Sequence, residues 1–219
     1  STEDGGELLF EKWCFNVAAS LGIPPPRIGV HLMYKLTPDD DTYVIDNPLR
    51  PLTFEKMTIK SRQLMTEPNS YEEIYKYQIK LPSGSFNHPC CHVQILPANS
   101  KEVVQRTIEV MKYDPKQSYL VSVDSNAIVN YVPERVTIEQ LFTNYIDLNG
   151  PPNRSLLRCF LKSANDEGGE KIHKLLDINN QEALKEYIKD KNIADFIVEF
   201  SQYGVPPIDS FVSSCPHIK

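Results

Sequence analysis

Apolar residues near the start of the chain recur at a helical spacing. The pattern covers residues 8–21 and stops at Gly22, before the triple proline Pro24-Pro25-Pro26. Its apolar members are Leu8, Leu9, Trp13, Phe15, Val17 and Leu21. Because proline lacks an N–H and fixes φ, the helix is not expected to continue past this point. The sequence therefore predicts an N-terminal helix that ends near Gly22.

Alternating apolar residues predict strands in the next part of the chain. The clearest alternation places Tyr75, Tyr77, Ile79 and Leu81 on one face. The predicted strands cover residues 27–36, 54–65, 74–81 and 91–96. Asp39-Asp40-Asp41 follows the first of them and is expected to form a solvated turn. The first hundred residues are therefore predicted to form an antiparallel β unit preceded by a helix.

Helical spacing returns after Asn99. Ser100 is placed to cap a helix, and Thr137-Ile138-Glu139-Gln140 matches a capping box. Pro206-Pro207 is compatible with the first turn of a last helix, whereas Gly168-Gly169 is predicted to interrupt one. Further helices are predicted from near Arg154 and near residues 170–176, 181–190 and 192–203. We therefore expect residues 100–219 to be nearly all α.

Charge and composition exclude several classes of function. The chain has 219 residues and a net charge of −6, which does not suit a nucleic acid as partner. No apolar run reaches the roughly 18–20 residues of a membrane span, and the acidic start does not resemble a secretory signal. An odd number of cysteines without recurring spacing indicates reduced thiols rather than a disulfide framework. These features predict a cytoplasmic protein without a membrane segment.

The segment His88-Pro89-Cys90-Cys91-His92 contains the residue types of a zinc site. In an extended segment, residues 88, 90 and 92 share a face and Cys91 points away, so four adjacent ligands do not converge tetrahedrally. No second Cys/His pair lies at zinc-finger spacing. A turn that enters a strand is the favoured interpretation, and no metal site is predicted. A zinc protein stays an alternative, which elemental analysis of the purified chain tests.

Sequence motifs for catalysis and for phosphate binding are absent. The chain has neither a Gly-x-Ser-x-Gly elbow nor a phosphate loop of the Gly-x-x-x-x-Gly-Lys-Ser/Thr or Gly-x-Gly-x-x-Gly type. His31 and His173 are interpreted as structural or solvated residues. Local chemistry therefore predicts no catalytic residue.

Several segments, taken in order, resemble the diflavin NADPH reductase family. Residues 91–100 resemble the strand that usually reads Gly-Asp-His-x-x-x-x-Pro-x-Asn and leads from the FAD-domain barrel into the helical connecting domain. Trp13 and its helix resemble the last helix of a preceding FMN domain, and Asn47-Pro48-Leu49 resembles the entry into the barrel. Residues 137–158 resemble the family's Thr…Leu…Tyr-x-Asp…Pro-Pro stretch, and residues 206–216 resemble the run before the flavin motif. The resemblance covers nearly the whole chain.

The resemblance implies a fold and a domain order. Residues 1–26 are expected to be the terminal helix of an FMN domain and a hinge. Residues 27–99 are expected to be the first strands of an FAD-binding barrel, and residues 100–219 a helical connecting domain truncated before the flavin motif. The implied fold class is α+β, a partial antiparallel β-barrel with an all-α connecting domain.

The resemblance also implies a chemistry. In this family NADPH gives a hydride to FAD, electrons pass singly to FMN, and FMN reduces an acceptor such as a haem protein or sulfite reductase. The protein holds and orients the cofactors that do this chemistry. The implied partners are the FMN and NADPH domains of the same polypeptide and a redox acceptor protein or domain. This chain is expected to supply the hinge and the connecting domain.

Departures from the family's pattern affect the cofactor site. Cys90-Cys91 replaces the usual Gly-Asp, and the arginine of the family's Pro-Pro-Arg stands one position later as Arg154. Arg154 is the FAD contact that the resemblance supplies, and the Arg-x-Tyr-Ser flavin motif is expected directly after Lys219. We therefore expect an incomplete FAD site, weak or no FAD binding by this chain alone, and no activity without the rest of the polypeptide.

The parent protein stays open at this point. An NADPH–haemoprotein reductase, a sulfite reductase flavoprotein and the reductase tail of a fused pyruvate:NADP+ oxidoreductase all suit the resemblance. A cofactor-free interaction module that keeps the connecting fold is the competing class. The residues after Lys219 distinguish them, because an Arg-x-Tyr-Ser motif supports a reductase and its absence supports the module.

Overall fold

The computed structural model describes residues 3–24, 32–39, 57–67, 69–81, 97–124, 132–177 and 179–218. Over these residues the chain combines helices with two small antiparallel sheets. This confirms the mixed helix and sheet content predicted from the sequence. The chain divides into two units, one formed by Ser1–Arg50 with Pro97–Lys219 and the other by Pro51–Leu96.

The described elements begin with a helix and three strands and end with a series of helices. The helices are α1 (Glu3–Leu21), α2 (Lys101–Met111), α3 (Ile138–Asn144), α4 (Arg154–Leu161), α5 (Asp166–Leu176), α6 (Gln181–Ile188), α7 (Ile193–Phe200) and α8 (Ile208–Ser214). The strands are β1 (Tyr34–Asp39), β2 (Thr58–Leu64), β3 (Tyr75–Lys80), β4 (Ser118–Val123) and β5 (Arg135–Thr137). A 3₁₀ turn, Ser201–Tyr203, follows α7.

The sheet of the larger unit places β4 between β1 and β5, and both pairs are antiparallel. Leu36 of β1 lies opposite Val121 of β4, and both side chains are buried. The strand predicted over residues 27–36 overlaps β1 at its end, whereas residues 27–31 lie outside the described residues. The sheet therefore extends further along the chain than the alternation of apolar residues predicts.

Asp39 belongs to this sheet and not to the solvated turn that the sequence predicts. It is the last residue of β1, and its side chain is mostly buried. Its Oδ2 lies 2.7 Å from Nε of Arg135 in β5. Charge pairing across the sheet thus replaces the water that a run of three aspartates normally binds. Asp40 and Asp41 lie outside the described residues.

The expectation that residues 100–219 are all α is wrong, because β4 and β5 lie within them. In β4, Ser118 and Val121 are buried, whereas Leu120 and Ser122 face solvent. A strand takes its hydrogen bonds from neighbouring strands and not from its own residues. The neighbour of β4 is β1, which lies far away in the sequence. Local periodicity alone therefore does not identify this strand.

The smaller unit contains β2 and β3, which pair antiparallel with a register shift between Ile59 and Ser61. Both strands confirm the predictions made for residues 54–65 and 74–81. The strand predicted over residues 91–96 lies outside the described residues. Across the described part of the chain, both sheets are small and open rather than closed into a barrel.

Helix starts agree with the capping predictions. Ser100 Oγ accepts a hydrogen bond from the backbone N–H of Val103 at the start of α2. Thr137 Oγ1 accepts from the N–H of Gln140 at 3.2 Å, and Gln140 Oε1 accepts from the N–H of Thr137 at 3.0 Å. Both halves of the capping box are thus present at the start of α3.

The glycine pair Gly168-Gly169 does not interrupt a helix, contrary to the prediction. Both residues lie in the first turns of α5, which Asn165 caps by accepting from the N–H of Gly168 at 3.0 Å. A Cβ atom on residue 168 would lie 2.4 Å from Cβ of Tyr203. Glycine at this position therefore permits close packing of a neighbouring segment against α5.

Aromatic side chains from four helices form the centre of the larger unit's core. The rings of Phe142 and Phe211 stack at 5.5 Å between centroids. Phe160 meets the edge of Phe196 at 5.1 Å, and Phe196 stacks on Phe200 at 4.7 Å. Such pairs add specific geometry to the burial of large apolar surfaces. Phe160 also meets the edge of Phe211 at 6.4 Å, so these contacts connect α3, α4, α7 and α8.

The predicted N-terminal helix is confirmed as α1, but much of its predicted apolar face is exposed. Leu9, Trp13 and Leu21 are exposed. The helix instead buries Glu11 and Ala18 among its described side chains. Each helix in the described ranges is too short or too polar to cross a membrane.

Candidate functional site

Three segments that are distant in the sequence meet at a cleft of about 350 Å³. They are the segment before α2, the segment after α3 and the end of the described chain. The cleft is lined by Pro97, Ala98, Asn99, Asp147, Asn149, Pro216, His217 and Ile218. Each of these segments is one on which the sequence resemblance rests, so the structure brings three of the resembling motifs together.

Asn99 is the buried centre of this arrangement. Its Nδ2 donates to the carbonyl oxygens of Phe142 at 2.7 Å and of Ile146 at 2.6 Å. Its Oδ1 accepts from Nδ2 of Asn149 at 3.0 Å, and its backbone N–H donates to the carbonyl oxygen of Thr143 at 2.9 Å. The last carbonyl groups of a helix have no partner within the helix. Asn99 therefore satisfies the end of α3 and fixes the chain before α2 against it.

The end of the described chain pairs with the segment that follows α3. Ile146 and His217 form an antiparallel bridge. The N–H of Asp147 donates to the carbonyl oxygen of Pro216 at 2.9 Å, and the N–H of Ile218 donates to that of Tyr145 at 2.9 Å. Backbone hydrogen bonds, rather than side-chain packing alone, thus hold residues 216–218 at the cleft.

Arg154, the residue predicted to approach FAD, lies in a separate buried group of charges. Its Nη2 is 3.2 Å from Oε2 of Glu11 in α1 and donates to the carbonyl oxygen of Leu176 at 2.7 Å. Arg158, one turn further along α4, contacts Oε1 of the same carboxylate. We call Glu11, Arg154 and Arg158 the Glu11 cluster. An arginine in the first turn of a helix is usually solvated, whereas Arg154 is buried and is not among the residues that line the cleft.

The two buried cysteines that the structure describes are not activated as nucleophiles. Cys14, Cys159 and Cys215 are free thiols. Burial raises the pKa of the Cys159 thiol to about 11. Burial, with a smaller effect of the neighbouring Cys159, also raises the pKa of Cys215. Because the thiolate is the nucleophilic form, neither buried thiol is activated as a nucleophile.

Metal binding finds no support in the residues that the structure describes. These residues contain no group of three or more His, Cys, Asp or Glu side chains placed to hold an ion. The segment from His88 to His92 lies outside the described residues. The zinc alternative therefore stays a prediction for elemental analysis.

Comparison with known protein families identifies the family to which the chain belongs. Residues 52–219 match the family described as FAD binding domain. The chain belongs to the diflavin NADPH reductase family. The order of motifs in the sequence and the match over most of the chain thus agree.

Individual relatives are consistent with this family. The chain is 27% identical over 222 residues to NADPH-dependent diflavin oxidoreductase 1 of Emericella nidulans, covering 89% of this chain and 33% of that protein. It is 24% identical over 168 residues to the mouse protein of the same name, covering 73% and 28%. It is 22% identical over 170 residues to a bifunctional cytochrome P450/NADPH–P450 reductase of Bacillus subtilis, covering 76% and 16%. The chain thus spans a third or less of the length of these relatives.

The cofactor of this diflavin reductase family, FAD, carries a diphosphate that needs cationic groups or N–H donors. The cleft at Asn99 is lined by amides, a histidine and the carboxylate of Asp147, and its lining includes neither lysine nor arginine. Asp147 Oδ1 already accepts from the N–H groups of Asn149 and Gly150 at 3.0 Å. The described lining therefore offers the diphosphate no lysine or arginine as a counter-charge.

Sequence reasoning singled out Arg154 but not Glu11 or Arg158, the other two members of the Glu11 cluster. Arg154 and Arg158 are four residues apart and therefore share one face of a helix, which is a readable signal. Glu11 gives no such signal, because it stands between Phe10 and Lys12 in a helix that also carries other acids. Only the tertiary structure shows that this carboxylate and these guanidinium groups meet.

Replacing Asn99 with leucine is expected to lower the free energy of unfolding by about 3 kcal/mol, because buried carbonyl groups lose their donors. Urea denaturation followed by circular dichroism measures this loss. Asn149→Leu is the matched control, since Asn149 is exposed and its side chain donates to Oδ1 of Asn99 rather than to a carbonyl group of α3. Equal losses in the two variants would contradict a central role for Asn99.

Proposed function

We propose that this chain is the hinge and connecting part of an NADPH-dependent diflavin oxidoreductase. The match of residues 52–219 to the FAD binding domain family carries the proposal. Two of the relatives are named NADPH-dependent diflavin oxidoreductases. In the parent polypeptide, electrons pass from NADPH through FAD and FMN to an acceptor protein or domain. The chain contributes the geometry between these redox centres.

The proposed domain order follows the family resemblance. Residues 1–26 form the end of an FMN domain and the hinge, residues 27–99 the first strands of a barrel, and residues 100–219 the connecting domain. The aromatic core of α3, α4, α7 and α8 supports the last assignment, because it gives a spacer of fixed shape. The pairing of β1 with β4 joins the second and third segments.

Arg154 stays a prediction as an FAD contact. Its guanidinium already donates to Leu176 and pairs with Glu11. Contact with FAD would therefore compete with the Glu11 cluster. In the full-length polypeptide, Arg154→Met is expected to lower the FAD content, and an unchanged FAD content would contradict the contact. Arg106→Met, at a mostly exposed arginine, is the matched control.

The full-length polypeptide that contains this sequence tests the proposed function. Flavins released by acid and separated by chromatography are expected to be FAD and FMN in equal amounts. The same preparation is expected to reduce ferricyanide or cytochrome c with NADPH and much more slowly with NADH. The 219-residue chain alone is expected to bind FAD weakly or not at all. Stoichiometric flavin absorbance in the purified chain would contradict this last point.

Other outcomes distinguish the alternatives. A full-length polypeptide that contains no flavin and takes up none supports a cofactor-free interaction module. Reduction of NADP+ that depends on pyruvate and coenzyme A supports the reductase tail of a fused pyruvate:NADP+ oxidoreductase. We further propose a cytoplasmic location, which fractionation of the source cells with an antibody against the chain measures.

A further inference from the structure

A second cleft lies between α1 and the end of α5, and none of its lining residues belongs to the cleft at Asn99. Its volume is about 700 Å³, and proteins bind small molecules in clefts of about 300–1,000 Å³. The lining consists of Lys12, Phe15, Asn16, His173, Lys174, Leu176, Asp177 and Asn179. We call this feature the Lys12 cleft. Its size suits a small molecule.

Arg154 of α4 contacts both walls of the Lys12 cleft. Its Nη2 lies 3.2 Å from Oε2 of Glu11, which precedes Lys12 in α1. The same nitrogen donates to the carbonyl oxygen of Leu176, the last residue of α5, at 2.7 Å. The two walls are therefore connected through the protein itself, as expected of a cleft that exists before its ligand binds.

Positive charge exceeds negative charge in this lining. It contains two lysines and a single carboxylate, that of Asp177, although the chain as a whole has a net charge of −6. Ion pairs among the described residues engage the ammonium groups of Lys171, Lys185 and Lys191. In the same part of the chain, Lys12 and Lys174 contact no carboxylate. Two ammonium groups at the cleft are thus available to an anion.

The groups at the end of α5 that would repel an anion already have donors within the protein. Oδ1 of Asp177 accepts from the N–H of Asn179 at 2.9 Å, and the carbonyl oxygen of Asp177 accepts from the N–H of Asn180 at 3.2 Å. The carbonyl oxygen of Leu176 accepts from Arg154. These bonds engage the carbonyl groups that carry the negative end of the helix dipole. The end of α5 is therefore compatible with an anion beside Lys174.

The lining also offers apolar surface and neutral donors. Phe15 and Leu176 are half-buried, while the amides of Asn16 and Asn179 and the imidazole of His173 can donate hydrogen bonds. A phosphate monoester presents three acceptor oxygens and close to two negative charges at neutral pH. It therefore suits several donors and two ammonium groups better than a carboxylate does.

We propose that the Lys12 cleft binds a small organic phosphate, a phosphate monoester of a ring-sized apolar group. The phosphate is held by Lys12 and Lys174, and the apolar group lies against Phe15 and Leu176. This goes beyond the proposed function, since it holds whether or not the polypeptide carries flavin.

Titration of the isotope-labelled 219-residue chain with α-naphthyl phosphate, followed by amide NMR, tests the proposal. The amide signals of Lys12, Phe15 and Lys174 are expected to shift with a dissociation constant of about 1 mM or below. α-Naphthol lacks the phosphate and inorganic phosphate lacks the ring, so each is expected to bind at least about tenfold more weakly. Equally tight binding of either probe would overturn the proposal. α-Naphthoate carries a single charge, and binding as tight as that of α-naphthyl phosphate would overturn the choice of a phosphate.

Lysine variants locate the binding. Lys12→Met and Lys174→Met are each expected to weaken the binding of α-naphthyl phosphate about tenfold, because each removes one charged donor. Lys101→Met, at an exposed lysine of α2 that does not line the cleft, is the matched control and should leave the dissociation constant unchanged. Unchanged affinity in either cleft variant would overturn the proposal. So would the absence of shifts in the cleft amides at roughly tenfold the expected dissociation constant.

Discussion

Replacing Phe160 with alanine is expected to lower the free energy of unfolding by about 3–5 kcal/mol. Phe160 is 1% exposed and lies between two other rings, with Phe196 at 5.1 Å and Phe211 at 6.4 Å. Truncation removes buried apolar surface and leaves a cavity that the surrounding rings fill only in part. A typical domain has a total stability of about 5–15 kcal/mol, so this one change is large.

Urea denaturation monitored by circular dichroism measures the loss at Phe160. Phe10→Ala is the matched control, because Phe10 belongs to the same residue type and is exposed in α1. Its expected effect is within about 0.5 kcal/mol of zero. If the two variants lose the same stability, the aromatic core does not dominate the stability of the larger unit.

Replacing Gly204 with alanine is expected to cost about 3 kcal/mol or more, through backbone strain and steric overlap. Gly204 has φ of 155° and ψ of 150°, a region that is essentially restricted to glycine. A Cβ atom there would lie 1.9 Å from the carbonyl oxygen of Ser163. The neighbouring backbone has little freedom to move, because the N–H of Asn165 donates to the carbonyl oxygen of Tyr203 at 2.8 Å.

Gly169→Ala is the matched control for Gly204, and its effect is expected to have the opposite sign. A Cβ atom on residue 169 meets only a methyl group of Leu161, at 3.9 Å. Alanine in a helix interior is favoured over glycine by about 1 kcal/mol. Thermal unfolding should therefore shift down for Gly204→Ala and up for Gly169→Ala. A downward shift in both variants would show that the Gly169 environment is tighter than the structure indicates.

Features set by local chemistry could be predicted from the sequence. The capping box at Thr137 and the cap at Ser100 depend on residues three positions apart, and both are confirmed. The alternation over residues 74–81 likewise predicts β3. In these cases the residues that decide the structure are neighbours in the chain.

Features set by distant partners could not be predicted in this way. The strand β4 depends on β1, and the close packing of Gly168 depends on Tyr203. Glu11 and Arg154 are 143 residues apart in the chain, so no local pattern connects them. The same distinction holds for the candidate site. The resemblance identified the segments that meet at Asn99, but it did not identify the hydrogen bonds that join them.

One nitrogen of Arg154 serves both Glu11 and the carbonyl oxygen of Leu176. The side chain of a single residue in α4 therefore contacts both α1 and the end of α5. A substitution at Arg154 accordingly changes the surroundings of two other helices at once, so its effects are not expected to add simply to those of substitutions at Glu11 or Leu176.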